Sequence, residues 1–259
     1  MKQTIIMIHG FRGTHHGLAK IAESLGDEYS LVVPDIPGFG EGETLKHYDL
    51  ASYVAWLHRL VKSHKGSSRP ILLGHSFGSI IAASYAARYP KTIAKLILVN
   101  PIGAPALEGP RGILTKLAQG YYWLGSILPE KAARRWLATK SIVFIMSTTM
   151  AKTSDKTLRK WIHQQHYTYF STFHSAASVS EAFTTSVSHS VRDIASNITP
   201  PTLLIAGDKD DITPLPVQEE LHRLMPTSTL RVIKNVGHLT HYETPNEVAK
   251  IVQDFIKSE

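Results

Sequence analysis

The pentapeptide Gly74-His75-Ser76-Phe77-Gly78 constrains the fold of this chain more than any other stretch. The apolar run Ile71-Leu72-Leu73 precedes it, and a small-residue-rich stretch from Ser79 to Arg88 follows. The first reads as a buried strand and the second as a helix, which makes the pentapeptide a sharp turn between them. Such a turn forces Ser76 into a strained backbone conformation and pushes its Oγ out beyond the carboxyl end of the strand. Glycine is needed at 74 and 78 because strand and helix pass too close there for larger side chains. A serine presented in this way is a candidate nucleophile. Alone it is a weak one, and it needs a base that is itself oriented by an acid.

Both partners have candidates downstream. The run Thr202-Leu203-Leu204-Ile205-Ala206 reads as a buried strand that ends in Gly207-Asp208-Lys209-Asp210-Asp211-Ile212-Thr213-Pro214. A carboxylate on that loop is well placed to reach a histidine, and Asp208, Asp210 and Asp211 all sit on it. Leu230-Arg231-Val232-Ile233 reads as a further strand, followed by the loop histidine His238 after Gly237, with His241 as its nearest competitor. The chain order is therefore Ser, Asp, His.

Strands and helices alternate over the first hundred residues. Strands are predicted at 4–8, 31–33, 71–73 and 96–99, with helices at about 17–25 and 50–63 between them. This alternation argues for a doubly wound, mostly parallel sheet. Sites in such sheets form beyond the carboxyl ends of the strands, where every candidate above lies. From Pro101 to Ala195 the alternation stops. Helices are predicted at 112–126, 129–139 and 155–174, and the apolar stretch 141–150 is ambiguous. Pro200-Pro201 marks re-entry into the alternating pattern. The last helix opens with Thr244-Pro245-Asn246-Glu247, which predicts an N-cap at Thr244, proline at the first helical position and Glu247 as capping-box partner.

These motifs together resemble the α/β-hydrolase fold superfamily, in its small esterase-like form with a helical cap. The resemblance spans nearly the whole chain. It rests on His9-Gly10-Phe11-Arg12-Gly13, on Pro34-Asp35-Ile36-Pro37-Gly38-Phe39-Gly40, and on Gly74 to Gly78. It rests further on Gly207-x-x-Asp210-x-x-x-Pro214 and on Gly237-His238 with Glu243 and Pro245. The order Ser, Asp, His is that of this superfamily. The resemblance implies Ser76 as nucleophile, His238 as base and Asp210, rather than its two neighbours, as the orienting acid. It implies oxyanion donors in the backbone N–H groups of Phe77 and Phe11, a core of residues 1–100 and 196–259, and a helical cap at 101–195. The family's first β-hairpin is missing, so about six strands are expected. His9 and Asp35 are expected to order loops, and the His75 side chain to point away from the nucleophile.

The implied activity is a serine-dependent hydrolase of carboxylic esters or related acyl bonds, with a small acyl substrate. Thioesterases, lactonases and C–C bond hydrolases share the same serine arrangement, and so do ligand receptors that turn over slowly or not at all. An aspartate would stand at 76 in the haloalkane dehalogenases and epoxide hydrolases of this fold. Cap aromatics Tyr121, Tyr122, Trp123, Trp136 and Trp161 are candidates for an apolar pocket or for plain packing.

Composition narrows the remainder. The formal net charge is +7, and residues 101–195 hold 11 Lys/Arg against 5 Asp/Glu, so the excess is concentrated in the insert. No nucleic-acid module accompanies it, and no nucleic-acid partner is expected. There is no cysteine. His15-His16, His163-x-x-His166 and His238-x-x-His241 lack the partners of a metal site, and Walker or Rossmann phosphate loops are absent, so no metal or cofactor is expected. No signal-peptide pattern opens the sequence, and no apolar run approaches the roughly 20 residues that span a bilayer. These features lead to an expectation of a cytoplasmic protein.

Overall fold

The computed structural model describes residues 2–64, 66, 68–105 and 112–258, with the backbone alone at 112–114. Six strands form one sheet in the order β2-β1-β3-β4-β5-β6, every neighbouring pair parallel. They are β1 (Thr4–Ile8), β2 (Ser30–Val32), β3 (Ile71–His75), β4 (Leu96–Val99), β5 (Thr202–Gly207) and β6 (Ser228–Ile233). Strands β1, β3, β4 and β5 are buried along their whole length, which is why they read as unbroken apolar runs. Alternate residues feed two layers. Ile5, Met7, Leu73 and Ile205 face one core with Leu18, Ile21 and Val248, whereas Ile6, Ile8, Leu72 and Leu204 face the other with Leu57, Ile80 and Leu221.

The helices on one face are α1 (Ala19–Leu25) and the C-terminal helix α11 (Pro245–Lys257). Those on the other are α2 (Leu50–Ser63), α3 (Phe77–Arg88) and α9 (Leu215–Leu224). Between β4 and β5 come α4 (Gly112–Ile127), α5 (Glu130–Leu137), α6 (Lys140–Met150), α7 (Lys156–Tyr169) and α8 (Ala176–Ser188), a helical insert at the position expected for a cap. The one-turn helix α10 (Thr240–Glu243) precedes α11.

Several expectations need correction. The ambiguous stretch 141–150 is helix α6. The helix predicted over 155–174 ends at Tyr169, because Phe173 leaves to pair as an isolated bridge with Phe39. A separate helix then begins under its own cap, in which Ser175 and Ser178 bond each other's backbone N–H groups. That capping box uses serine at both ends and so lacks the Glu/Gln signal of the usual pattern. At the last helix the predicted box does not form. Thr244 makes no side-chain cap bond, and its hydroxyl donates instead to Thr240 O, 3.3 Å away in α10. The five aromatics of the insert fall in different places. Trp123 is 64% exposed, Trp161 packs edge-on against Tyr242, and only Tyr122 reaches the region of Phe11.

One residue ties the cap to the core. Arg12 is fully buried at the tip of the loop after β1. Its Nη2 donates to Leu137 O at 2.7 Å, the last residue of α5, and its Nε donates to Phe170 O at 2.8 Å, just past α7. Its Nη1 donates to the Tyr122 hydroxyl of α4 at 3.2 Å. Helix carboxyl ends leave carbonyls without intrahelical donors and carry partial negative charge, so a guanidinium between two of them is doubly favoured. Replacing Arg12 with methionine fills similar space but strips both carbonyls. The expected loss is about 2–4 kcal/mol in chemical denaturation, from two buried acceptors left unsatisfied. A variant as stable as wild type would show that the cap is held elsewhere.

Candidate functional site

The strand order places the reversal of winding between β1 and β3, and the loops at the carboxyl ends of the strands converge there. The loop after β1 carries Gly10 and Phe11, and the turn after β3 carries Ser76. Asn100 follows β4, Asp210 follows β5 and His238 follows β6.

Ser76 stands at φ 52° and ψ −120°, the strained conformation expected of it. The close approach behind it is severe. A Cβ on Gly74 would lie 2.4 Å from Gly78 O, and one on Gly78 would lie 2.3 Å from Ile8 O. No side chain fits at either position without moving backbone. The Ser76 turn is therefore wedged between its own helix and β1.

Ser76, Asp210 and His238, proposed from three separate segments, come together. His238 Nε2 lies 2.8 Å from Ser76 Oγ, and His238 Nδ1 lies 2.8 Å from Asp210 Oδ2. Asp210 is buried and is the acceptor of five donors. Oδ2 receives His238 Nδ1, the Thr213 hydroxyl and Asn100 Nδ2, while Oδ1 receives the backbone N–H groups of Ile212 and Thr213. Burial pushes the Asp210 pKa up, but His238 and the Thr213 donors outweigh it and hold the carboxyl well below the usual range. Neither neighbour competes. Asp208 accepts from Asn235 N at 2.6 Å, and Asp211 pairs with Lys152 on the cap.

Phe77 begins α3 and Phe11 sits in the β1 loop. Neither backbone N–H has an acceptor among the described residues. Gly10 brings that loop against Ser76, since a Cβ there would lie 3.2 Å from the Ser76 Cβ. Both N–H groups are thus free to face an anion beside Ser76. The loop is held as expected. His9 Nδ1–H donates to Gly10 O at 2.9 Å while its Nε2 accepts from Ile36 N at 2.9 Å. Asp35 accepts from the backbone N–H groups of His15 and Glu41.

Sequence reading missed Asn100. It adopts φ 45° and joins three loops, donating to Asp210 and to Gly237 O at 3.3 Å and accepting from the Thr240 hydroxyl at 2.6 Å. The signal available was the asparagine itself, a residue type that tolerates a left-handed turn, set against the following proline, which favours extended backbone. The His75 ring turns from the Ser76 hydroxyl to donate to His238 O at 3.2 Å, as a structural role requires, yet it also borders the cavity beside Ser76. That cavity measures about 60 Å³. Gly10, Phe11 and Ser76 line it with His75, His166 and His241. Burial keeps these imidazoles neutral. It drives His75 and His166 down to about 3, helped by neighbouring histidines, and His241 well below its ordinary value. Among the described residues no group of three or more His, Asp or Glu is placed to hold a metal, and no helix is long and apolar enough to cross a membrane.

Comparison with known proteins agrees with this architecture. The family model described as "alpha/beta hydrolase fold" matches residues 3–245. An uncharacterized hydrolase of Bacillus subtilis, YugF, is 26% identical across 99% of this chain and 90% of its own length. Lipase 1 of Psychrobacter immobilis is 26% identical across 95% of this chain and 74% of its own. Among solved structures, a thermophilic esterase from Thermogutta terrifontis superposes with a TM-score of 0.81 at 21% identity, over 99% of this chain and 90% of the other. At that identity the likeness is one of fold. With a family model covering nearly the whole sequence, the chain belongs to the alpha/beta hydrolase fold family and is a hydrolase of that class.

Proposed function

We propose that the protein is a serine-dependent hydrolase of carboxylic esters or related acyl bonds, working through an acyl-enzyme. The observation that carries this reading is the continuous line Asp210–His238–Ser76, with both contacts at 2.8 Å. His238 Nε2 takes the Ser76 proton as Oγ attacks the acyl carbonyl carbon. Asp210 holds the Nδ1–H tautomer that leaves Nε2 free to do so. The backbone N–H groups of Phe77 and Phe11 stabilise the oxyanion. His238 then gives its proton to the leaving oxygen, and water repeats the sequence to release the acid. The apolar wall for the acyl chain is the edge-to-face cluster of Phe11 with Phe39, Phe77 and Tyr122. The helices α4 to α8 act as a lid over this site. The names of relatives such as Lipase 1 support an acyl ester as substrate.

The test is hydrolysis of p-nitrophenyl esters of increasing acyl length, with Ser76→Ala as control. Multiple turnovers are expected, with kcat lowered by about 10⁶-fold in the variant, as in serine hydrolases whose nucleophile is removed. A protein that turns over none of these esters, and whose Ser76 resists a fluorophosphonate, would instead be a ligand receptor on the same fold. Turnover of thioesters, lactones or C–C substrates in preference to esters would move the assignment within the family.

A further inference from the structure

The cavity beside Ser76 has a polar end that the acyl-transfer steps do not use. His166 comes from α7 in the cap, and His241 from α10 in the core. Both rings are almost wholly buried and both border the cavity. Yet His166 Nε2 and His241 Nδ1 have no hydrogen-bond partner among the described residues. A buried polar nitrogen without a partner is costly, and two on one small cavity ask for a ligand that supplies the missing bonds.

The surroundings specify that ligand. His166 is fixed through its other nitrogen, which lies 2.7 Å from Ser147 Oγ, and Ser147 in turn lies 2.6 Å from His163 Nδ1. Whichever way the Ser147 hydroxyl points, His166 Nε2 offers either an N–H or a lone pair. A hydroxyl both donates and accepts, so it satisfies either state. A carboxylate only accepts and an ammonium only donates, and each would bring an uncompensated charge beside neutral rings. The remaining lining includes Met150, Phe170 and Leu239, which suits a short carbon chain. A cavity of about 60 Å³ has room for a fragment of roughly four water-sized groups. Its position fixes the side of the substrate. It is walled by Leu239, which directly follows His238, the residue that protonates the leaving oxygen, and by His241 three residues beyond it. Of the aromatic wall, Phe39, Phe77 and Tyr122 do not line this cavity, and Phe11 alone is shared with it.

We propose that this cavity receives the leaving alcohol, and that His166 and His241 recognise a free hydroxyl on it, so that the preferred substrates are acyl esters of short diols or triols. The proposal rests on Ser76 being the nucleophile.

The experiment compares 2-hydroxyethyl butyrate with propyl butyrate, which differ by one hydroxyl at constant shape and acyl group. Wild-type kcat/KM is expected to favour the hydroxyethyl ester at least about tenfold, since the propyl ester leaves both nitrogens unsatisfied. In His166→Leu and His241→Leu the ratio should fall towards one. A merely structural role for either histidine would slow both esters alike and preserve the ratio, which overturns the proposal. So does a wild-type ratio near one, a measurement that needs no variant to fold. Hydrolysis of p-nitrophenyl butyrate separates the two readings. If it proceeds while the ratio is near one, the subsite is wrong and the nucleophile stands. If neither butyrate nor the p-nitrophenyl ester is cleaved, both fail.

Discussion

Asp210→Asn is expected to lower kcat by about 10⁴-fold while leaving KM nearly unchanged. The reason is in the hydrogen-bond directions. All five partners of the wild-type carboxylate are donors, so an amide nitrogen placed on either side meets donors head to head. The amide relieves this most cheaply if His238 gives up its Nδ1–H and accepts instead. That transfers the ring proton to Nε2, where it points at Ser76 and blocks the transfer that starts the reaction. A uniform fall in kcat across ester chain lengths would be the signature, read by steady-state kinetics. Asp208→Asn and Asp211→Asn serve as controls, expected within about twofold of wild type because Asp208 accepts from the exposed Asn235 N and Asp211 is half-exposed and pairs with Lys152. If Asp211→Asn proved as damaging as Asp210→Asn, the assignment of the acid would be wrong.

The second large effect is on acid stability. His9 is pushed down to about 4 and His75 and His166 to about 3, in each case chiefly by burial, and His241 is shifted the same way. These folded-state values lie below the unfolded value of about 6.5. As pH falls through 6.5 the unfolded chain therefore takes up protons that the folded protein refuses. The stabilisation is complete above that pH and is lost as pH drops from there towards 4. At pH 5 each ring contributes about 1.5 pH units of differential binding, or roughly 6 kcal/mol for the three with stated values, at about 1.4 kcal/mol per unit. A whole domain has only about 5–15 kcal/mol to lose. Cooperative acid unfolding near pH 5 is thus expected, well above the range where Asp210 loses its charge. Urea midpoints at pH 7.5, 6 and 5 measure it. A His75→Gln variant should reduce the pH slope by about one proton, and a midpoint that stays constant from pH 7.5 to 5 would falsify the account.

What could be read from the sequence follows a physical divide. The sheet was legible because strands buried on both faces must be apolar throughout, and Ile71–Leu73 and Thr202–Ala206 are. Ser76 and His238 were legible because a strained turn and a glycine-preceded loop imidazole leave a local pattern, whereas Asp210 was separated from Asp208 and Asp211 only by the family resemblance. The cap was only half legible. Helix α8 is buried on several faces and so shows no single clean stripe, while α6 buries only the line of Val143 and Ser147 and leaves the apolar Phe144 and Ile145 exposed, which blurs its period from the other side. Arg12 left no pattern for its role, and Asn100 left only its residue type, because their roles are defined by partners more than a hundred residues away. The capping box at Thr244 shows the converse error. The local pattern was present, but the preceding turn of helix claimed the threonine hydroxyl first.

Arg12 bears on how such a cap can be exchanged. Insertions between strands are usually regarded as detachable parts, free to be replaced when a new specificity is wanted. Here the residue next to Phe11 ends two of the insert's helices with a single cation. A transplanted insert of different helix lengths would present no pair of carbonyl ends at that point. The guanidinium would remain buried without acceptors, and the backbone beside it, which carries the proposed oxyanion donor of Phe11, would have to move. Diversification of this scaffold is therefore confined to inserts that bring two helix ends to the same place, or to chains that change residue 12 in the same step.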